Sequence, residues 1–209
     1  MGYNYCGTCP SCRTGHPSSC YHFVDLNMTG GQRSDGSYTF YKEDGTPVHN
    51  LYNQSSFSTY TITKVNNLIK VDKDFDLHWV APLSCGFLTG YGTVVNGLKP
   101  KTASSIVIFG TGAVGLSALM ATKIEGYTTI IAFDIHDSRL ELAKELGATH
   151  MINRLKEDVV ERVREITNGM GVHYSVDTTG VSAVMKAGVD VLGMMVFMLQ
   201  LLLHQIPWK

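Results

Sequence analysis

The sequence predicts a mixed α/β chain. A parallel sheet with crossover helices fills residues 85–209, and an irregular, strand-rich region precedes it over residues 1–84. Two observations separate the parts. From about residue 98, short β-branched runs alternate with helix-like runs, and one junction between them carries G-x-G-x-x-G. Before residue 84 the chain shows turn signals at SDGS, EDGTP and NQSS, together with a dense cluster of cysteines.

The cysteine cluster comes first. Cys6, Cys9, Cys12 and Cys20 stand in the pattern C-x2-C-x2-C-x7-C. Zinc takes four soft donors at tetrahedral corners, with sulfur about 2.3 Å from the metal. Short gaps let one loop supply all four, and Gly7 and Gly15 help that loop turn. Four sulfurs leave no open position on the ion, so the site reads as structural. The competing readings are two disulfides or free thiols. Disulfides suit small secreted frameworks, whereas this chain carries an odd fifth cysteine, Cys85, far away. His16 and His22 flank the cluster, but four sulfurs already close the shell.

Further along, the alternation in TYTITKV predicts a strand over residues 59–65. VDKDFDLHWVAPLSC then leads toward a helix that carries Cys85 to the junction of the two parts. A lone cysteine is usually an inert, buried small hydrophobe.

SSIVIF (Ser104 to Phe109) reads as a buried strand running into Gly110-Thr-Gly112-Ala-Val-Gly115 and a helix, LSALMATKIEG. A lone glycine motif is weak evidence; the strand before it and the helix after it give it meaning. Gly110 permits the tight turn, Gly112 lets a pyrophosphate approach the backbone, and Gly115 lets helix and strand pack closely. The helix N-terminus offers N–H groups and a positive dipole end to phosphates. The next strand, TTIIAF, ends at Asp134, 24 residues after Gly110. A carboxylate there can accept hydrogen bonds from both hydroxyls of the adenosine ribose of NAD and repels the 2′-phosphate of NADP. The alternative is a glycine turn that only packs a helix on a sheet. His136, two residues on, has two readings, a place near the adenine ribose or a surface turn, and the surface turn is preferred.

The remaining strands are HMIN and YSVDTT. The remaining helices are SRLELAKEL, EDVVERVREITN and VSAVMKAGVDVL. Val159, Val163 and Ile166 recur at helical spacing and are assigned to the core. The apolar run Val191 to Leu203 is too short to span a bilayer comfortably, and without a partner strand it is an aggregation liability.

At 209 residues, with 44% apolar and 17% charged residues, the chain can bury a core of one domain or parts of two. A net charge of −1 without long basic runs argues against nucleic-acid binding. No signal peptide is visible, and the thiol-rich N-terminus points to the cytoplasm. The N-x-[ST] matches at Asn27 and Asn53 are read as chance.

The cysteine loop, then PLSCGFLTGYGT, then FGTGAVG, then Asp134, resembles the zinc-dependent medium-chain alcohol dehydrogenases, at matching spacings from Tyr3 to about Leu192. The stretches DLNMTGGQRSDGS, YNQSSFSTY and FDIHDSRLELAKELGATH most resemble aryl-alcohol (benzyl alcohol) dehydrogenases. The resemblance implies a partial NAD-binding Rossmann domain over residues 85–209. Residues 1–84 would be part of a GroES-like catalytic domain bearing a structural zinc loop. It implies Cys85 as one ligand of a catalytic zinc, Thr89 at the nicotinamide end of the cofactor, and Arg139 beside the adenosine ribose and phosphate. It implies NAD and zinc as cofactors, a small alcohol or aldehyde as substrate, no membrane partner, and a homo-oligomer as the family's usual state. In the family's reaction zinc lowers the pKa of the alcohol, and NAD takes a hydride to give an aldehyde. The family's other two catalytic zinc ligands and its proton-relay hydroxyl have no counterpart in these residues. The chain is therefore expected to be the middle of a dehydrogenase, with an aberrant tail after Leu192. The alternative reading is an inactive fragment that keeps structural zinc and binds a dinucleotide weakly.

Overall fold

A computed structural model describes residues 3–29, 32–33, 35–49, 52, 59–61, 63, 65–99, 101 and 103–200. The chain divides into two compact units, Met1–Phe75 and Asp76–Lys209.

In the first unit the cysteine loop is built around a single helical turn, α1 (Pro10–Arg13), which Cys9 precedes with extended backbone. Pro10 starts the turn with a preset φ and no N–H to leave unpaired. A second local anchor is Asn27, which is fully buried. Its amide donates to the Asn4 and Phe23 carbonyls at 2.8 Å and accepts from the Asn4 N–H at 2.7 Å. Both ends of that side chain are consumed by the fold, which agrees with its N-x-[ST] match being fortuitous. Asn53 lies outside the described residues. Two short strands, β1 (Phe40–Tyr41) and β2 (Pro47–Val48), form an antiparallel hairpin.

The strand expected over TYTITKV is not found among its described residues. Residues 59–61 and 63 are irregular, and Val65–Asn67 is a 3-10 turn. Tyr60 and Val65 are 91% and 82% exposed, so the alternation there covers no core. Thr61 and Tyr60 aside, Ile62 and Lys64 lie outside the described residues.

The second unit begins with α2 (Leu77–Val80), capped by the Asp76 carboxylate on the His78 N–H. A 3-10 turn over Ala81–Ser84 then leads into α3 (Gly86–Gly92). The sheet follows as β3 (Ser105–Phe109), α4 (Ala113–Ile124), β4 (Thr129–Asp134), α5 (Asp137–Leu146) and β5 (His150–Asn153). It continues as α6 (Val159–Ile166), β6 (Val172–Asp177), α7 (Ser182–Asp190) and β7 (Leu192–Gln200). All five strands are parallel, in the order β5-β4-β3-β6-β7. The fold class is α/β with a parallel sheet, as the alternation predicts.

Both faces of the sheet are covered. Ile106, Ile108, Ile130 and Ala132 pack with Leu119 of α4 and Leu140 of α5 on one side. Val107, Phe109, Ile131 and Phe133 pack with Val159 and Val163 of α6 and Val184 of α7 on the other. This double burial explains why SIVIF and TIIAF are continuous apolar runs rather than alternating ones. Val159 and Val163 are buried and Ile166 packs against them, as expected from their spacing. The helix they serve starts at Asp158, whose carboxylate accepts from the Val160 and Glu161 N–H groups.

The C-terminal run needs a correction. Residues 192–200 are not an unpaired tail: they are β7, hydrogen-bonded in parallel to β6, with Val172 opposite Leu192 and Asp177 opposite Gln200. An uncharged run joins the sheet because it leaves no charge to bury. Residues 201–209 lie outside the described part.

Candidate functional site

The chain builds β3, then β4 and β5 to one side, then returns to add β6 and β7 on the other. The order therefore reverses between β3 and β6. A crevice opens at the carboxyl ends of strands at such a switch point, and ligands of open α/β sheets bind there. A cleft of about 450 Å³ occupies this place, lined by Gly110, Gly112, Asp134, His136, Arg139, Arg154, Thr178 and Thr179 among others. It brings together four of the six residues expected to touch a cofactor: Gly110, Gly112, Asp134 and Arg139.

Gly110 has φ +88, and a Cβ there would sit 2.6 Å from Thr178 Oγ1. Thr178 fills that space because its hydroxyl donates to the Phe109 carbonyl at 2.8 Å. Gly115 lies behind the cleft; a Cβ there would overlap the Gly110 carbonyl oxygen. It is thus the close-packing glycine of the turn. At Gly112 a Cβ would meet nothing within 4 Å. The protein itself does not demand a glycine there, and the open space beside the backbone suits a bulky anion. Gly112 also precedes α4, whose first amides point toward the same opening.

Asp134 ends β4 and is 7% exposed. Its Oδ2 accepts from the Thr111 N–H and hydroxyl, both at 2.8 Å. Its Oδ1 accepts from the N–H groups of Ile135 at 2.7 Å and His136 at 3.1 Å, and lies 3.1 Å from His136 Nδ1. Burial alone would raise its pKa; the bonds from Thr111 and His136 outweigh it and hold the carboxyl well below the usual range. The floor of the cleft therefore carries a fixed negative charge. Arg139 on α5 and Arg154 after β5 are exposed at its edge.

The segment that carries Cys85 and Thr89 packs against the same turn. α3 lies on α4 so closely that a Cβ at Gly90 would overlap the Val114 carbonyl, and Ser117 Oγ donates to the Phe87 carbonyl at 2.5 Å. A Cβ at Gly86 would come 3.3 Å from Ala113 Cβ. Cys85, which precedes α3, thus stands beside the start of α4, with its side chain exposed, and Thr89 lies one turn further on, also exposed. Neither lines the cleft.

In the first unit the sulfurs of Cys6, Cys9, Cys12 and Cys20 all lie within 4.8 Å of one another. A zinc–sulfur bond of about 2.3 Å gives a tetrahedral edge of about 3.8 Å, so this donor set fits a zinc ion after small adjustments. The Thr8 and Cys9 N–H groups bond to Cys6 Sγ at 3.4 and 3.3 Å. Those two amides draw the Cys6 thiol down to about 5, and the Tyr21 amide lowers Cys9. Burial and the neighbouring sulfurs push Cys12 up to about 12. Such a crowd of sulfurs ionises together only around a cation. His16 and His22 are exposed and stand outside the cluster. The cysteines are all free thiols.

Cys85 differs. Among the described residues the four-cysteine loop is the only group of three or more His, Cys, Asp or Glu side chains placed to share an ion. Among the described residues none joins Cys85 in a second metal site.

Arg154 and Thr178 of the cleft wall, and Thr111, which is buried and bonds to Asp134, escaped the sequence reading. Thr111 occupies a variable position of the glycine motif, so its bond to Asp134 has no local signature. Arg154 and Thr178 do have one. In a parallel sheet the residue after each strand faces the crevice, and they follow β5 and β6 as Gly110 follows β3.

Comparison with known proteins agrees with this geometry. Residues 113–195 match the zinc-binding dehydrogenase family. A probable alcohol dehydrogenase from a Pseudomonas species is 38% identical over 197 residues, covering 93% of this chain and 61% of the relative. Among solved structures, an alcohol dehydrogenase zinc-binding domain protein from Burkholderia ambifaria superposes with a TM-score of 0.87 at 46% identity. The benzyl alcohol dehydrogenase of Acinetobacter calcoaceticus superposes with a TM-score of 0.87 at 42% identity. Each structure is matched over 100% of this chain and 56% of its own length. The chain thus spans between half and two thirds of the length of these proteins.

Proposed function

Given that this chain belongs to the zinc-containing medium-chain alcohol dehydrogenases, we propose that its protein oxidises alcohols to aldehydes with NAD and that aryl alcohols are the substrate class. The observation that carries the cofactor half of this reading is the switch-point cleft. It joins a bare glycine turn and a helix N-terminus to a buried carboxylate. The aryl preference rests on the likeness to the Acinetobacter enzyme and on the matching sequence stretches.

In this proposal each residue of the chain has a part. The turn from Gly110 to Gly115 receives the pyrophosphate, with the first amides of α4 directed at its charge. Asp134 sets a negative charge at the adenosine end, which disfavours a 2′-phosphate, and Arg139 supports the ribose from the rim. Thr89 stands on the nicotinamide side. Bound NAD supplies the hydride acceptor; the protein sets its position. Cys6, Cys9, Cys12 and Cys20 hold a structural zinc that stabilises the first unit.

The isolation of Cys85 favours a second reading for the 209 residues taken alone: dinucleotide binding without turnover. Metal-assisted oxidation of an alcohol uses three protein ligands and an open position, and the described residues bring no companion donors to Cys85. The test is an assay of the purified chain with benzyl alcohol, NAD and zinc, following NADH absorbance. No turnover is expected. A rate on the order of 1 per second or more contradicts the second reading and leaves the first standing for this chain itself.

A further inference from the structure

The four cysteines of the first unit divide by exposure. Cys9 and Cys20 are 8% and 5% exposed, whereas Cys6 and Cys12 are only partly buried. The two that solvent reaches are also neighbours: Cys6 Sγ and Cys12 Sγ lie 4.0 Å apart. A disulfide needs about 2 Å between sulfurs, so they must close by a distance that a loop can supply. Gly7 stands between them in the chain, and a Cβ there would meet nothing within 4 Å. That open side leaves the loop room to contract.

The buried pair is tied into the fold instead. Cys9 precedes α1, and its carbonyl receives the Arg13 N–H at 3.0 Å. Cys20 Sγ accepts from the Cys6 N–H at 3.4 Å. Four sulfurs close a zinc ion to water and substrate, but each remains a thiolate with lone pairs, and a thiolate is the nucleophile toward a small oxidant.

We propose that the cysteine loop is a redox switch, in which a hydroperoxide joins Cys6 to Cys12 and zinc is released. The inference rests on the reading of the loop as a zinc site. One of the two accessible thiolates attacks a peroxide oxygen. The O–O bond breaks, the sulfur becomes a sulfenic acid, and the hydroxide that leaves takes a proton to give water. The second thiolate attacks the sulfenyl sulfur, the S–S bond forms, and a second hydroxide leaves and is protonated. Two electrons pass from the two sulfurs to the peroxide, and two protons from solvent complete two waters. A partner sulfur 4.0 Å away intercepts the sulfenic acid before further oxidation, so the product is a reversible disulfide. Cys9 and Cys20 are left as two ligands where a structural site needs four, and they do not retain the ion.

The test treats the zinc-loaded, folded full chain with excess hydrogen peroxide. Released zinc is followed with a chromogenic chelator, and the cysteines are alkylated and mapped by peptide mass. The expected result is loss of about one zinc per chain, a Cys6–Cys12 disulfide, and Cys9 and Cys20 recovered as alkylated thiols. A dithiol reductant with added zinc is expected to restore the metal. Cys85→Ser, which removes the exposed fifth thiol, is expected to release zinc as the parent does. Retention of zinc under peroxide overturns this proposal alone. So does release with any other pairing, with sulfinic or sulfonic acids in place of the disulfide, or only when Cys85 is present. A folded chain that binds no zinc before treatment overturns the zinc reading and this proposal with it.

Discussion

Asp134 and the four cysteines show two ways in which single residues make a charged site. At Asp134 the protein surrounds a carboxylate with donors until its ionised form is the stable one. Replacing it by serine removes the charge that opposes a 2′-phosphate. Asp134→Ser is expected to narrow the preference for NAD over NADP by about tenfold, roughly 1.4 kcal/mol, measured by titration of both cofactors. An unchanged ratio would remove Asp134 from the account of cofactor choice. At the cysteine loop the surroundings divide the thiols: backbone N–H groups lower Cys6 and Cys9, whereas burial raises Cys12. Cys9→Ser takes away a buried ligand. The parent is expected to bind roughly one equivalent of zinc, and this variant is expected to lose it and to lower the melting temperature of the first unit. Retention of full zinc in that variant would mean that the ion lies elsewhere. The cysteines were legible in the sequence because metal ligation fixes both residue type and spacing. Thr111 was not, because any residue fits its place in the glycine motif and only the fold reveals its bond to Asp134.

At the scale of elements, the unit of function is β3, the glycine turn and α4. Its tolerance is set by backbone-to-backbone packing, since Gly115 touches the Gly110 carbonyl. Gly115→Ala is expected to destabilise the second unit by about 1–3 kcal/mol and to weaken NAD binding, because the turn must shift to admit a methyl group. Asp158→Ala offers the matched control. Loss of this helix cap at α6 costs about 1 kcal/mol far from the turn and leaves NAD affinity as it was. Denaturant melts with cofactor titrations separate the two. A Gly115→Ala chain with parental stability and affinity would show that close packing at this point is not required. The strands of this unit were legible because burial on both faces writes a continuous apolar run. β7 was misread for the same reason: LGMMVFMLQ carries no periodicity, and a strand without alternation looks like a tail until its partner β6 is known. TYTITKV failed in the other direction. Alternation reports which side chains face together, not whether a neighbouring strand exists to pair with, and the described residues there are irregular and exposed.

At the scale of the whole molecule, the two compact units carry separate chemistry: the zinc loop lies in Met1–Phe75 and the cleft in Asp76–Lys209. Among the described residues no helix is long and apolar enough to cross a membrane. The division of labour was legible from two motifs. The switch point was not, because strand order is a property of the sheet and leaves no mark on any one segment. That order is what turns a glycine motif into a cleft, by setting Thr178 at the end of β6 against Gly110 at the end of β3. The central claim is that this cleft binds NAD. It is tested most directly by calorimetric titration of NAD into the folded, zinc-loaded 209-residue chain. The account predicts saturable binding near one NAD per chain, with NADP weaker by about tenfold or more. The absence of saturable binding up to about 1 mM NAD, a concentration equivalent to only about 4 kcal/mol of affinity, in protein shown by circular dichroism to be folded, would contradict it.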